Sequence, residues 1–174
     1  MKIGAITGSF DPITRGHVYV IEEALKLVDK LVILIAFNPE KKYTFSYEER
    51  EELIIQAIKK NTVINFADKY ITFKHLPSNK FAAEAACEEG ATVIFRGLRN
   101  VVDFEYEHSL QLINSNISPE VSTVFVMPPA EFIAVSSSAV KGMVGLDNWE
   151  KVAIRYVNAH VIAALSSKHL EKKV

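Results

Sequence analysis

Thr7 to His17 reads Thr-Gly-Ser-Phe-Asp-Pro-Ile-Thr-Arg-Gly-His, which puts two glycines, a serine hydroxyl and an imidazole into one short stretch. The residues before it, Lys2 to Thr7, form a short apolar run ending at Gly8, the pattern of a buried strand entering a tight turn. After it, Val18, Ile21, Leu25 and Val28 recur at helical spacing with Glu22, Glu23 and Lys26 between them. A strand-to-helix junction of this kind offers free backbone N–H groups and the positive end of a helix dipole, which favour an anion. Gly8 permits a tight exit from the strand, Gly16 lets a ligand approach the backbone, and His17 in the first turn can donate to a phosphate oxygen. The plainer alternative is a pair of turn glycines and a helix-start histidine without chemistry. Neither G-x-x-x-x-G-K-[ST] nor G-x-G-x-x-G occurs, which argues against a P-loop kinase or an ordinary dinucleotide dehydrogenase.

Three further groups carry charge or hydroxyls at similar junctions. Arg96 and Arg99, in Phe95-Arg96-Gly97-Leu98-Arg99, can reach two phosphates of one nucleotide complex with bidentate geometry, or can be surface arginines bonded to Asp103, Glu105 or Glu107. Lys41 follows Asn38-Pro39-Glu40 just past a second apolar run and by itself reads as an ordinary surface lysine, with Lys42 as its neighbour. Ser136, Ser137 and Ser138 open a helix, where their hydroxyls serve as a phosphate cradle, as an N-cap, or as both. His75, His108, His160 and His169 lack metal-ligand spacing and read as surface or packing residues. Cys87 lies among Ala82, Ala83 and Ala86 and reads as a small core residue.

The elements that must position these groups follow from periodicity. Leu31 to Phe37 is almost wholly apolar, as in a strand covered on both faces. Ser46 and Glu49 have capping-box spacing ahead of Leu53, Ile54, Ala57 and Ile58. Strands are expected at Tyr70 to Leu76, Thr92 to Phe95 and Thr123 to Met127, and helices at Asn79 to Glu89, Asp103 to Ile113, from Ser137 onward and from Trp149 to Leu165. This alternation implies a single α/β domain spanning 1–174, a doubly wound parallel sheet with a C-terminal helix from about 149. With 20 basic against 21 acidic residues the net charge is -1, so no bulk polyanion or anionic membrane is an expected partner and any anion must be held locally. The expected basic cluster is Lys41, Arg96, Arg99, Lys141 and the His17 ring. One cysteine permits neither an intramolecular disulfide nor a Cys-based zinc site, and the first apolar run is too short for an export signal, so a cytoplasmic location is expected.

Ser9-Phe10-Asp11-Pro12 followed by Thr14-Arg15-Gly16-His17 resembles the G-[ST]-F-D-P…[HT]-x-G-H signature of the nucleotidyltransferase superfamily. Arg96-Gly97-Leu98-Arg99 with Asp103-Phe104-Glu105-Tyr106-Glu107 is similar to the central motif of the bacterial phosphopantetheine adenylyltransferases, and Val135-Ser136-Ser137-Ser138-Ala139-Val140-Lys141 resembles their serine segment near the ATP phosphates. The chain departs from that pattern in having Ile6-Thr7 where Tyr-Pro is usual, and in a longer, atypical segment from Asn61 to Phe81.

The resemblance implies a Rossmann-like nucleotidyltransferase fold and adenylyl transfer from ATP to 4′-phosphopantetheine, giving dephospho-coenzyme A and pyrophosphate. It implies catalytic roles for His17, Lys41 and Arg96. ATP would be bound by Ser9, Phe10, His17, Gly97, Leu98, Arg99 and Glu107, together with Phe132, Ile133, Ala134, Val135 and Ser136 to Ser138. Ser9, Lys41, Ala82 and Arg96 would hold the acceptor. Mg²⁺ is expected with ATP but without a protein cage, coenzyme A as a feedback ligand, and a homohexamer as the assembly. Other readings are a nicotinate-mononucleotide adenylyltransferase, a cytidylyltransferase acting on an alcohol phosphate, or a non-catalytic nucleotide sensor.

Overall fold

A computed structural model describes residues 1–60, 70–134 and 136–171. The expected readings of 61–69 and of Val135 lie outside the described residues.

Among the described residues, five parallel strands form one sheet: β1 (Ile3–Gly8), β2 (Lys30–Ala36), β3 (Tyr70–Leu76), β4 (Val93–Gly97) and β5 (Ser122–Val126), in the order β3-β2-β1-β4-β5. Helix α1 (Arg15–Leu27) links β1 to β2, α2 (Tyr47–Lys59) follows β2, α3 (Ala82–Glu88) precedes β4, and α4 (Val101–Ile117) lies between β4 and β5. After the sheet come α5 (Ala130–Ile133), α6 (Ser137–Met143), α7 (Trp149–Ala153) and α8 (Ala159–Glu171).

Side chains alternate across each strand, and both faces are covered, as the unbroken apolar runs require. Ile6, Leu31, Ile33, Ile35 and Phe95 pack on one face with α1, α2 and α8. Ala5, Val32, Leu34 and Ile94 pack on the other with the alanines of α3. Chain order reverses between β1 and β4, and the carboxyl ends of strands at such a switch point are where α/β sheets bind ligands.

The capping box at Ser46 forms as expected, its hydroxyl accepting from the Glu49 N–H while the Glu49 carboxylate accepts from the Ser46 N–H. Several boundaries differ from the periodicity. Strand β4 runs on to Gly97, and α4 begins two residues before Asp103 and ends at Ile117, capped by Asn100. Helix α3 starts only at Ala82. The C-terminal stretch is two helices rather than one, because the chain turns at Tyr156, whose carbonyl accepts the Arg15 N–H at 2.8 Å. That bond satisfies an N-terminal donor of α1, and it takes from the tail a carbonyl that a continuous helix would use. Cys87 is half-buried at the edge of its cluster rather than in the core, with its thiol donating to Glu120 at 2.9 Å.

Candidate active site

The β1-to-α1 loop builds the floor of a cleft of about 540 Å³ at the switch point. Thr14 caps α1: its Oγ1 accepts the His17 N–H at 3.4 Å, and its own N–H donates to His17 Nδ1 at 3.1 Å. Histidine thus fills the capping-box position that Glu or Gln usually takes. The consequence is chemical. With Nδ1 accepting, the neutral imidazole carries its proton on Nε2, so the ring is a donor on its other side. Burial, followed by the Arg99 and Arg96 charges, lowers the His17 pKa from 6.5 to about 4, which keeps the ring neutral near pH 7. The Phe10 ring packs edge-on against it at 5.2 Å. Phe10 sits at φ 48, a strained conformation for an aromatic residue, with its ring filling the space a Gly8 Cβ would need, 3.1 Å away. A Cβ on Gly16 would meet no protein atom closer than 3.7 Å, so packing does not demand that glycine and its missing side chain leaves room in the cleft.

The two arginines are held by carboxylates of α4. Glu107 grips Arg96 through both Nε and Nη2, the Nε bond measuring 2.7 Å, while Arg96 Nη1 donates to the Thr7 carbonyl. Asp103 accepts from Arg99 Nε at 2.8 Å and Nη2 at 3.1 Å. The ion-pair reading is the one the structure shows, and both guanidiniums, oriented by carboxylates, line the cleft. Glu107 is correspondingly a partner of Arg96 as well as a cleft-lining residue.

The cleft collects Ser9, Phe10, His17, Lys41, Arg96, Gly97, Arg99 and Glu107, and Ser136, Ser137 and Ser138 close it from α6. Lys42 does not line it, which separates the lysine doublet. Ser136 spends its hydroxyl on capping, accepting from the Ala139 N–H at 3.0 Å, and Ser137 donates to the Pro12 carbonyl at 2.7 Å. The exposed Ser138 lies on the same rim.

Other expected members are elsewhere. Leu98 is buried, its N–H extending the β4–β5 pairing to Val126. Phe132 packs on Tyr19 of α1 and lines a separate cavity with Arg15, and Ile133 and Ala134 do not line the cleft. A periodic motif match cannot show which side of a four-residue helix faces inward. Ala82 opens on a second cavity of about 220 Å³ with Phe81, Leu110 and Asn114, continuous in lining with the cleft through Thr7, Arg96 and Glu107. Lys141 is corrected from the basic cluster: its ammonium pairs with Asp11 at 2.7 Å, outside the cleft.

Sequence reasoning missed two structural anchors of this site. Asp11 is 2% exposed and accepts from the Thr44 and Phe45 N–H groups as well as from Lys141. Arg50 is also 2% exposed, with its guanidinium on the carbonyls of Ser9, Ala36 and Ser46. An isolated arginine inside an otherwise charged helix turn gives no periodic signal; only its place on the buried face of α2, four residues before Ile54, marks it.

The parallel sheet with a phosphate-type cleft at its switch point defines a nucleotidyltransferase class, and residues 5–143 match the cytidylyltransferase-like family. The fold is shared with a nicotinic acid mononucleotide adenylyltransferase of Plasmodium falciparum in complex with NaAD, at a TM-score of 0.73, 16% identity and coverage of 97% of this chain and 96% of that one. Sequence narrows the family. A phosphopantetheine adenylyltransferase of Chromobacterium violaceum is 36% identical over 172 residues, covering 99% of this chain and all of its own. One from Neisseria meningitidis serogroup B is 38% identical over 162 residues, covering 93% of this chain and 91% of its own. The chain belongs to the phosphopantetheine adenylyltransferase family.

Proposed function

We propose that the chain transfers the adenylyl group of ATP to 4′-phosphopantetheine, giving dephospho-coenzyme A and pyrophosphate. The observation that carries the reading is the joining of two cavities at Arg96, one floored by the His17 loop and one lined by Phe81, Ala82 and Leu110. The first suits the nucleotide phosphates, and the second, where Gln111 and Asn114 stand beside apolar residues, suits a narrow acceptor arm that carries amides and ends in a phosphate beside Arg96.

An oxygen of the acceptor phosphate attacks the α-phosphorus, and the bond from that phosphorus to the oxygen bridging to the β-phosphate breaks, releasing pyrophosphate. The second pKa of a phosphate monoester is about 6, so the nucleophile is already dianionic near pH 7 and needs no protein base. The protein aligns two anions and stabilises the charge that develops. His17 Nε2–H serves as the donor to the α-phosphoryl oxygen. Lys41 and Arg96 neutralise the acceptor and bridge it to ATP, Ser9 donates to the phosphates, and Arg99 with the Ser136 and Ser138 hydroxyls holds the β- and γ-phosphates, while Ser137, its O–H on the Pro12 carbonyl, fixes that rim.

Magnesium enters as part of the nucleotide substrate. The carboxylates that line the cleft are committed, Glu107 to Arg96 and Asp103 to Arg99, and no group of three metal-ligating side chains gathers among the described residues. Phosphate oxygens and water would supply the ligands. No helix among the described residues is long and apolar enough to cross a membrane. We propose a cytoplasmic reaction on the chemistry of the single cysteine, which fits a reducing compartment. We also propose a homo-oligomer, a hexamer by the family pattern, with coenzyme A as a competing ligand. Supporting association, α4 has no buried residue and exposes Val101, Val102, Leu112, Ile113 and Ile117. Incubation with ATP, Mg²⁺ and 4′-phosphopantetheine, followed by mass spectrometry of the product, tests the reading: dephospho-coenzyme A is expected, and unreacted acceptor would overturn it.

A further inference from the structure

The Lys41 loop has an internal frame, and that frame stands on a buried arginine. Asn38 to Tyr43 leaves β2 and returns toward α2. Within it the Asn38 N–H donates to Tyr43 Oη at 2.8 Å, the Lys41 N–H donates to the Asn38 carbonyl at 3.0 Å, and the Phe37 and Tyr43 rings stack at 5.5 Å. Tyr43 is therefore the post on which the loop closes. Its ring lies against the Arg50 guanidinium, whose central carbon is 4.5 Å from the ring centroid.

Arg50 reaches further. Nη1 donates to the Ser9 carbonyl at 2.8 Å and to the Ala36 carbonyl at 3.0 Å, and Nε donates to the Ser46 carbonyl at 3.3 Å. One planar group thus ties the exit of β1, the exit of β2 and the start of α2. It forms no ion pair with a carboxylate among the described residues. A buried cation without a counter-ion is costly unless its geometry does something an apolar residue cannot.

We propose that Arg50 is a positioning residue, which fixes the Lys41 loop against the Ser9–His17 loop so that the acceptor phosphate and the α-phosphorus meet in line. The proposal rests on the adenylyl-transfer reading for its consequence, though not for its structural content. Lysine at 50 would keep a charge but lose the fork and the flat stacking surface. Because Lys41 is assigned to the acceptor, loosening its loop should act on the acceptor side of the reaction.

The test compares Arg50→Lys, Lys41→Ala and the double variant in the full chain, with hydrogen exchange of the peptide covering 37–45 as a readout independent of activity. Arg50→Lys should raise exchange in that peptide while the thermal midpoint changes little. It should raise KM for 4′-phosphopantetheine on the order of 10-fold, with KM for ATP changed less than about threefold, and this increase should vanish against a Lys41→Ala background. Tyr43→Leu, which removes the post and leaves Arg50 in place, should reproduce the exchange change. Unchanged exchange, equal losses for both substrates, or an acceptor effect that adds fully to that of Lys41→Ala would overturn the proposal. If Arg50→Lys fails to fold, Tyr43→Leu carries the same comparison. A wild-type chain silent toward 4′-phosphopantetheine would contradict the adenylyl-transfer reading alone, and the exchange result would still decide the positioning role.

Discussion

The Thr14 N–H bond to Nδ1 suits His17 to the proposed donor role, because it fixes which nitrogen carries the proton before any substrate arrives. A neutral donor stabilises charge that appears in the transition state and binds the ground state only modestly. We expect His17→Ala to lower kcat on the order of 100- to 1000-fold with KM for ATP changed only a few-fold, as judged by steady-state kinetics. The depressed pKa has a second reading. Protonation of His17 favours the unfolded chain, so the stability linked to this ring is fully present above the unfolded value of 6.5 and is lost as pH falls through about 4. An NMR titration of the His17 ring protons in the folded chain should give a midpoint near 4; a midpoint near 6.5 would contradict the account. The acid limb of kcat/KM should accordingly follow the acceptor phosphate, near pH 6, rather than the imidazole. Lys42→Ala should leave KM for the acceptor within about twofold, in contrast to Lys41→Ala, because only Lys41 lines the cleft.

The elements around the cleft were legible in the sequence to different depths, and the reasons are physical. Strands β1 and β2 and helices α1 and α2 are buried on predictable faces, so their periodicity and the Ser46 box located them within a residue or two. Helix α4 was placed but cut short at both ends: none of its residues is buried, and amphipathic spacing cannot mark the end of a helix with no buried side. The Arg96 and Arg99 positions were readable, and the candidate carboxylates were named, yet only geometry chose Glu107 and Asp103 and left Glu105 out. Asp11 lies furthest from sequence reading, since its partner Lys141 is 130 residues away. Its carboxylate joins the start of the α1 loop, the approach to α2 and helix α6. Removing it leaves buried donors and one cation without an acceptor, so Asp11→Ala should cost about 2–4 kcal/mol in urea denaturation. A change under about 0.5 kcal/mol would show that the three elements are held by packing alone.

At the scale of the whole molecule, a net charge of -1 conceals a local arrangement rather than an absence of one. The cleft is less basic than the motifs alone suggested, because Lys141 is elsewhere and both arginines carry carboxylate partners. In the proposed reaction the phosphates are met by Lys41, by oriented guanidinium faces and by the uncharged donors of the His17 loop and α6. Such a site selects by geometry more than by bulk attraction. The proposed oligomer would cover the apolar surface of α4, so sedimentation velocity should show an assembly that Leu112→Glu weakens; a monomer at micromolar concentration would contradict the proposal. The identity of the acceptor is decided by measuring kcat/KM for pyrophosphate release across 4′-phosphopantetheine, nicotinate mononucleotide and small alcohol phosphates, each with ATP and with CTP. ATP with 4′-phosphopantetheine should exceed every other pair by at least about 100-fold. A preference for another acceptor or for CTP, or no release with any pair, would contradict it.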